Sequence, residues 1–248
     1  IVPNFINLAD VDKTDLRKII DRARKQKKSK KVQSLNFSLK GKTLIMVFEK
    51  PSTRTRISFE IAMKQLGGEV LILNPKDTHY GGGSESIHDT AKVLSQYGDI
   101  VMMRAYKHKH FLEFSKHLDI PIINGLTNSH PCQILSDIMT FEELKGSINK
   151  KKIAWFGDSN NVTYSLIEAA AKFNFELYIA CPKKFRPNKK IVQWAKKNSA
   201  KIFVTKNPKE AANLADCIMT DKWISMGDKV NKKKKKKLLK PYQVNKKI

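Results

Sequence analysis

A short run of hydroxyl and guanidinium side chains carries the strongest chemical signal in the sequence. Ser52, Thr53, Arg54, Thr55 and Arg56 follow an apolar stretch that predicts a strand, and they open a segment with helical periodicity. Backbone N–H groups at a helix start have no partner within the helix and lie at the positive end of its dipole. This arrangement can bind phosphate. A capped helix with incidental arginines is the alternative interpretation.

Arginine is rare in this chain, which makes its positions informative. Of the 48 basic residues only seven are Arg, and the other 41 are Lys. Where Arg persists, its planar fork of five donors favours bidentate contact with phosphate or carboxylate. Arg54 and Arg56 fit this description, and Arg104 ends a second predicted strand. We therefore expect Arg104 at the carboxyl edge of the sheet, where a ligand would bind.

A histidine and a glutamine follow a third predicted strand. His130 can donate to an oxygen, and its near-neutral pKa allows small shifts to set its charge. Gln133, one turn into the next predicted helix, offers an amide with a donor and an acceptor. Taken alone, a His before a Pro is more often a loop residue than a catalytic one. Cys132 could be a thiol nucleophile, but neighbours on a chain rarely face each other, so we interpret it as a buried Cys.

Short apolar strands alternate with amphipathic helices, which predicts an α/β protein with mostly parallel sheets and right-handed crossovers. The predicted strands are Thr43–Phe48, Glu69–Leu73, Asp99–Arg104, Ile120–Ile123, Ile153–Phe156, Leu177–Ala180, Lys201–Val204 and Cys217–Thr220. The predicted helices cover residues 55–66, 86–97, 108–117, 131–144, 163–173, 188–198 and 208–214. This order indicates two doubly wound parallel-sheet domains, residues 1–145 and 146–248, with a substrate cleft between them.

The net charge of +25 is concentrated in three segments. Residues 13–31, 183–201 and 229–248 carry +8, +8 and +10, which leaves the rest of the chain close to neutral. The first two segments are typical of lysine-coated helices, and Asp12 is a candidate N-cap. We predict a flexible loop at Lys232–Lys237, because six adjacent like charges repel. A polyanion-binding surface is the alternative interpretation.

Composition indicates a folded, cytoplasmic protein. With 41% apolar residues the chain can form a packed core, and no apolar run approaches the ~20 residues that a membrane helix needs. The N-terminal residues contain no basic leader, which argues against a secretory signal. Cys132, Cys181 and Cys217 are far apart and odd in number. They support neither a disulfide framework nor a zinc site, and they fit a reducing cytoplasm.

Three motifs in the first half and two in the second occur in a recognisable order. The first three are Ser52-Thr53-Arg54-Thr55-Arg56 with Ser58-Phe59-Glu60, Asp89-Thr90-Ala91, and His130-Pro131-Cys132-Gln133 with Leu135 and Asp137. The other two are Gly157-Asp158-Ser159-Asn160-Asn161-Val162 and Asp221-Lys222-Trp223-Ile224-Ser225-Met226-Gly227. Together they resemble the aspartate/ornithine carbamoyltransferase family, and the last two resemble the amino-acid-binding motifs of its ornithine branch. Taken alone, Asn161 would also fit a helix N-cap, and Asp221 a strand-end turn.

The resemblance implies a reaction and a set of residue roles. Carbamoyl phosphate and L-ornithine would give L-citrulline and phosphate, as in arginine biosynthesis or the urea cycle, without a metal or an organic cofactor. The implied catalytic residues are Arg54, Arg104 and His130. The implied carbamoyl phosphate-binding residues are Ser52, Thr53, Arg54, Thr55, Arg104, His130 and Gln133, and the implied ornithine-binding residues are Asn161, Asp221, Ser225 and Met226. The family also implies a homo-oligomer, a trimer, and no membrane partner.

The chain departs from the family on its C-terminal side. A His-Cys-Leu-Pro motif and a later Arg of the ornithine branch have no counterpart before Ile248, so the second domain is expected to be incomplete. The loop 77–84, which completes a neighbouring subunit's site in the family, receives no assigned contact here. One alternative is a catalytically inactive or fragmentary relative, and another is transfer to a different amine such as putrescine or an acylated ornithine. A nucleic-acid-binding module is disfavoured, because the charge lies on lysine-rich segments away from the motifs.

Overall fold

A computed structural model describes residues 4–28, 38–74, 79, 84–224 and 231–246. The chain divides into two compact units, Ile1–Cys132 and Gln133–Ile248. Each unit contains a four-stranded parallel sheet with flanking helices, which confirms the predicted α/β fold class. None of the helices in this part of the chain combines the length and the apolar character that a membrane span requires.

The first unit alternates strands and helices in chain order. Its elements are a 3-10 helix Leu8–Asp10, α1 Lys13–Lys28, β1 Thr43–Phe48, α2 Thr53–Gln65, β2 Glu69–Leu73, α3 Ile87–Tyr97, β3 Ile100–Arg104, α4 His108–His117 and β4 Ile122–Leu126. The strands lie in the order β2-β1-β3-β4. Phe48 pairs with Arg104, and Arg104 pairs with Leu126, so the carboxyl ends of β1, β3 and β4 lie side by side.

Apolar residues cover both faces of this first sheet. Ile45 and Val47 of β1 pack in a buried cluster with residues of α3 and α4. Leu44 and Met46 point to the opposite face, where they pack with Met63 of α2. Side chains alternate between the two faces of a strand, and both faces are covered here. This explains why β1 is a continuous apolar run in the sequence.

The second unit repeats the pattern. Its elements are α5 Pro131–Lys145, β5 Lys152–Phe156, α6 Asn161–Phe173, β6 Glu176–Ala180, a 3-10 helix Lys183–Phe185, α7 Lys189–Lys197, β7 Lys201–Thr205, α8 Pro208–Ala212, β8 Cys217–Thr220, α9 Lys232–Leu239 and a 3-10 helix Lys240–Tyr242. The strands lie in the order β7-β6-β5-β8, all parallel. The edge strand β8 is therefore the neighbour of β5, and the carboxyl ends of these two parallel strands lie side by side.

Local capping chemistry explains where two of the helices begin. Asp12 Oδ1 accepts from Thr14 N at 2.7 Å, which confirms Asp12 as the cap of α1. Ser86 Oγ accepts from Asp89 N at 3.0 Å, so Ser86 caps α3. Each cap satisfies a backbone donor that has no partner within the helix.

Strand β4 extends three residues beyond its predicted end, to Leu126. An interior Asn is usually unfavourable in a buried strand, because its amide must find partners there. The Asn124 amide Nδ2 donates to Ile6 O, Thr127 Oγ1 and Ser129 Oγ at 2.9 to 3.0 Å. These bonds, one of them to a residue 118 positions away, allow the strand to continue through a residue that local propensity disfavours.

The prediction of a flexible loop at Lys232–Lys237 is wrong, because the run forms helix α9. A capping bond from Asn231 Oδ1 stabilises its start. Lys235 is only 3% exposed and forms a 2.6 Å ion pair with Asp158, and Leu239 is fully buried. These anchors outweigh the repulsion among the remaining lysines, which project into solvent where charges are screened.

Candidate active site

Arg104 links the end of β3 to the start of α2. Its Nη1 donates to Ser52 Oγ at 3.1 Å and to Thr55 Oγ1 at 3.2 Å. Ser52 is the N-cap of α2, and its Oγ accepts from Thr55 N. Three residues selected from the sequence thus form one hydrogen-bonded group. Arg104 Nε is buried and has no hydrogen-bond partner among the described residues, and an unsatisfied buried donor of this kind is unusual outside functional sites.

Positive charge accumulates around this group. Burial lowers the pKa of Arg104, and the neighbouring charge of Arg54 lowers it further. Burial also lowers the pKa of Lys50, where the Arg104 charge adds to the effect and Glu49 opposes it. Cations that depress one another's pKa favour a bound anion, because the anion relieves their repulsion. The side chains of Thr53 and Arg54 are exposed and accessible to such an anion.

Glu49 fixes the turn that follows β1. Its backbone N donates to Arg104 O at 3.0 Å, and its Oε2 accepts from Tyr106 N at 2.7 Å. Its Oε1 lies 3.5 Å from His110 Nδ1. Glu49 therefore ties the segment after β1 to the segment after β3. The sequence prediction did not select it, although a carboxylate directly after a buried strand could have been the signal.

A cavity of about 660 Å³ lies beside the start of α2. Its lining includes the polar residues Ser52, Thr53 and Arg56, together with apolar residues at the ends of β1 and β2. Arg56 also lies 4.0 Å from Glu60 in an i,i+4 pair. Arg56 thus lines this cavity while it pairs along the helix, whereas the charge of Arg54 acts on Arg104 and lowers its pKa.

His130 follows β4 on a turn held by buried polar side chains. Thr127 N donates to Ser129 O at 3.0 Å, and Ser129 Oγ donates to Asn7 Oδ1 at 2.7 Å. The Asn124 amide contacts both hydroxyls of the turn. This network fixes the backbone that carries the half-buried His130 at the carboxyl edge of the first sheet.

The two residues after Pro131 have different environments. Gln133 is exposed, and its Nε2 donates to Asp137 Oδ1 at 2.8 Å within α5. Cys132 Sγ donates to Asn124 O at 3.7 Å, and burial raises the pKa of its thiol to about 12. Such a thiol stays protonated near neutral pH, and the thiolate is the nucleophilic form. Cys132 is half-buried by accessible surface, and the raised thiol pKa favours an unreactive Cys over a nucleophile.

In the second unit, two polar segments follow the neighbouring strands β5 and β8. Gly157 begins the first with a φ of +125°, which side-chain-bearing residues rarely adopt. Asn160 caps α6, since its Oδ1 accepts from Val162 N at 2.9 Å. Its Nδ2 donates to Asp221 Oδ2 at 2.7 Å. One asparagine thus joins the start of α6 to the end of β8.

This arrangement changes the interpretation of the second motif pair. Asn161 as an N-cap is wrong, because Asn160 has that role and Asn161 is the first residue of α6. Asp221 Oδ1 accepts from Lys222 N at 2.7 Å, and a carboxylate so oriented can also accept from an ammonium group. Ser225 and Met226 lie outside the described residues. Within the described ranges, no group of three or more His, Cys, Asp or Glu side chains could hold a metal ion.

Three residues of this second site were not selected from the sequence: Asn160, Asp158 and Lys235. The first two stand inside the Gly157–Val162 motif, and asparagine before a helix is a recognised capping signal. Lys235 gives no local signal, because it is one of six identical neighbours. Only the helical period counted back from a buried leucine could have distinguished it.

Two protein-family models cover almost the whole chain. The aspartate/ornithine carbamoyltransferase carbamoyl-P binding domain matches residues 3–143. The aspartate/ornithine carbamoyltransferase Asp/Orn binding domain matches residues 149–248. The two matches follow the order of the two sheets along the chain.

Individual relatives agree with these models. The chain is 46% identical over 245 residues to an ornithine carbamoyltransferase of Brucella ovis, which covers 98% of this chain and 78% of the relative. It is 45% identical over 248 residues to that of Mesorhizobium japonicum, covering 100% of this chain and 81% of the relative. Among solved structures, ornithine carbamoyltransferase from Pyrococcus furiosus is similar with a TM-score of 0.92 and 40% identity, over 99% of this chain and 80% of the other.

Proposed function

Because the chain belongs to the aspartate/ornithine carbamoyltransferase family, we propose that it transfers the carbamoyl group of carbamoyl phosphate to the δ-amine of L-ornithine. The products are L-citrulline and phosphate. The relatives named ornithine carbamoyltransferase support ornithine as the acceptor. The observation that carries the proposal is the Arg104 guanidinium, held by two hydroxyls at the start of α2 and close to the charge of Arg54.

In this proposal, residues 1–145 form the carbamoyl phosphate-binding domain and residues 146–248 the ornithine-binding domain. The family-model matches at 3–143 and 149–248 support this division. Both ranges differ from the compact units, whose boundary falls inside α5 after Cys132.

The phosphate group is proposed to lie at the N-terminus of α2. Ser52, Thr53 and Thr55 provide hydroxyls there, and the free backbone N–H groups and the helix dipole attract the anion. Arg54 contributes a bidentate fork from the exposed side. Arg104 approaches from β3, where its bonds to the hydroxyls set its orientation.

The carbonyl end of carbamoyl phosphate is assigned to Arg104, His130 and Gln133. Attack at the carbonyl carbon turns the carbonyl oxygen into an oxyanion, which oriented N–H donors stabilise. Arg104 and His130 belong to adjacent strand ends and can supply such donors. Gln133 is bonded to Asp137, so its amide would exchange that partner for the substrate.

The ornithine end is assigned to Asn161, Asp221, Ser225 and Met226. The Asn161 amide can donate to the α-carboxylate, and the Asp221 carboxylate can accept from the α-ammonium group. The bond from Asn160 to Asp221 supports this assignment, because it fixes one carboxylate oxygen and therefore the direction of the other.

The chemistry then requires little beyond positioning. The neutral δ-amine attacks the carbonyl carbon and a C–N bond forms. The C–O bond to phosphate breaks, phosphate leaves with the electron pair, and the amine loses a proton. Carbamoyl phosphate is already an activated anhydride, so orientation and stabilisation of negative charge can account for catalysis.

Citrulline formation from carbamoyl phosphate and ornithine is the direct test. We expect the chain to form citrulline and phosphate in equal amounts, and to prefer ornithine over putrescine and over an acylated ornithine. The assay is run with each amine in turn, with phosphate release measured in parallel. Preferential carbamoylation of another amine would correct the substrate, whereas a folded chain that carbamoylates none of them would support an inactive relative.

We also propose a homo-oligomer, a trimer by family resemblance. Apolar side chains on α2 and on the edge strand β2 support it, since Ile57, Ile61 and Leu71 are 56%, 46% and 44% exposed. An exposed apolar edge strand is usually covered by a partner. Ile61→Glu is expected to shift the chain to monomers, because a carboxylate would have to be buried at the contact.

The measurement is sedimentation equilibrium, with Leu214→Glu as the matched control. Leu214 is 88% exposed in the second unit, so the same charge there should leave the assembly unchanged. A wild-type chain that is monomeric at all concentrations would contradict the proposed oligomer. Equal dissociation by both variants would contradict the proposed surface.

We propose the cytoplasm as the compartment. Cys132, Cys181 and Cys217 are all free thiols, and burial raises the pKa of each. Free cysteines without disulfides fit a reducing environment.

A further inference from the structure

Lys235 differs from the other five lysines of its run in its burial. Its side chain is 3% exposed, whereas the other five are exposed. Its Nζ lies 2.6 Å from Asp158 Oδ2 and 5.5 Å from the centroid of the Phe185 ring. Leu239, four residues later on the same face of α9, is fully buried. The helix is therefore oriented so that one ammonium group points inward.

An inward ammonium group is an expensive way to anchor a helix. Removing both members of an ion pair from water often costs more free energy than their attraction returns. Apolar residues at both positions 158 and 235 would serve stability at least as well as the ion pair, and Leu239 already provides an apolar anchor. The pair is better explained by what Asp158 holds in place.

Asp158 is the centre of the turn between β5 and α6. Its carbonyl oxygen accepts from Trp155 Nε1 at 3.0 Å, from Asn160 N at 3.2 Å and from Thr163 Oγ1 at 3.4 Å. The carboxylate faces Lys235. The turn is thus fixed through the backbone and through the side chain of the same residue.

Phe185, the second contact of Lys235, is also bonded to the turn between β5 and α6. Ser159 N donates to Phe185 O at 3.0 Å, and the Phe185 ring lies near the Lys235 ammonium group. The next residue, Asn160, caps α6 and donates to Asp221. A displacement of Asp158 would therefore move the residue that orients the Asp221 carboxylate.

We propose that Lys235 is a positioning residue for the ornithine end of the site. Through Asp158 it holds the turn that orients Asn160, and through Asn160 it directs Asp221 toward the amino-acid part of the substrate. This inference rests on the proposed function, because it takes ornithine as the ligand of Asp221. It follows that loss of the Lys235 charge should weaken the binding of ornithine and leave the binding of carbamoyl phosphate almost unchanged.

The test compares variants of similar shape. Lys235→Met removes the charge, Lys235→Arg keeps it, and Asp158→Asn removes the partner charge with almost no change in volume. Lys233→Met and Lys236→Met are matched controls, because they make the same substitution at exposed positions of the same helix. For each variant, kcat and both KM values are measured, together with amide hydrogen exchange of residues 157–163.

We expect Lys235→Met and Asp158→Asn to raise the KM for ornithine by about tenfold or more, with the KM for carbamoyl phosphate within about twofold of the wild type. Lys235→Arg should recover most of the loss. Exchange at residues 157–163 should accelerate in Lys235→Met and Asp158→Asn, and exchange in β1 should not. The two controls should match the wild type.

Three outcomes would overturn the inference: equal changes in both KM values, the same effect in an exposed-lysine control, or unchanged exchange at residues 157–163. Asp158→Asn tests the same link if Lys235→Met does not fold. Failure of the proposed function is a separate result, because it would appear as no citrulline from the wild type. The exchange measurement needs no turnover and still tests the link in that case.

Discussion

The Arg54→Lys variant is expected to form citrulline at least about 100-fold more slowly than the wild type, although it keeps the positive charge. Arg54 lies at the first turn of α2, close enough to Arg104 to lower its pKa. In the proposed complex its planar fork contacts two phosphate oxygens at once. Lysine offers a point charge on a flexible stem and cannot make both contacts with the same geometry. The loss should appear mainly in kcat, because negative charge on the phosphate grows as it leaves.

Arg17→Lys is the matched control for this variant. Arg17 lies on α1, 3.9 Å from Asp21, and is not among the proposed substrate ligands, so its replacement should leave turnover within about twofold. The Arg54 side chain is exposed, which means that its replacement should barely change the free energy of unfolding. Steady-state kinetics with both substrates and a thermal unfolding curve measure the two effects separately. Near-normal turnover of Arg54→Lys would contradict the proposed phosphate contact.

Asp221→Asn is expected to lower kcat/KM for ornithine by about 100-fold, since a hydrogen bond to a charged group contributes about 1.5–3 kcal/mol. The substitution keeps the size of the side chain and an oxygen that can accept from Asn160. It removes the negative charge that the α-ammonium group of ornithine needs. The KM for carbamoyl phosphate should change little, because all of its proposed ligands except Gln133 lie in the first unit.

The same strand provides the control for Asp221. Asp216 stands just before β8, where its carboxylate accepts from Lys152 N at 2.8 Å and lies 3.2 Å from Lys151 Nζ. Asp216→Asn makes the same chemical change at the opposite end of the strand. It should leave ornithine kinetics unchanged and affect only stability. An equal loss in both variants would indicate a structural role for the charge at Asp221, and the proposed ammonium contact would then be wrong.

Much of the fold could be predicted because local and tertiary preferences agree. Strand β1 and strand β8 occur where the sequence predicts them, since each is a short run of apolar or β-branched residues with polar neighbours. The capping residue Asp12 was also predicted correctly. A structural element can be predicted from the sequence when its local propensity and its tertiary packing favour the same structure.

The errors occur where a distant partner overrides local preference. Asn124 continues β4 because the distant Ile6 carbonyl and two hydroxyls of the following turn share its two amide protons. The lysine run becomes a helix because Asp158, more than 70 residues earlier, compensates one ammonium charge. Neither Ile6 nor Asp158 is visible in the sequence around the residue that it stabilises.

The residues of the candidate site also fall into two groups, those predicted from the sequence and those that depend on distant partners. Ser52, Thr55 and Arg104 were selected from residue type and strand position, and the structure brings them into direct contact. Glu49 and Asn160 were missed, because their importance comes from the groups that they join across the sheet edge. Side chains offered to a ligand are easier to recognise from sequence than the side chains that hold them.

Because α9 begins with six identical lysines, it should tolerate the loss of one residue from this run. Deleting any one codon from the stretch that encodes residues 232–237 still leaves a lysine four places before Leu239. The shortened segment can therefore present an ammonium group to Asp158 from the same helical turn, with only the solvent-facing start of the helix trimmed. Loss of a residue from a buried segment usually disrupts packing. Here the loss of any one lysine moves another lysine into the position that pairs with Asp158.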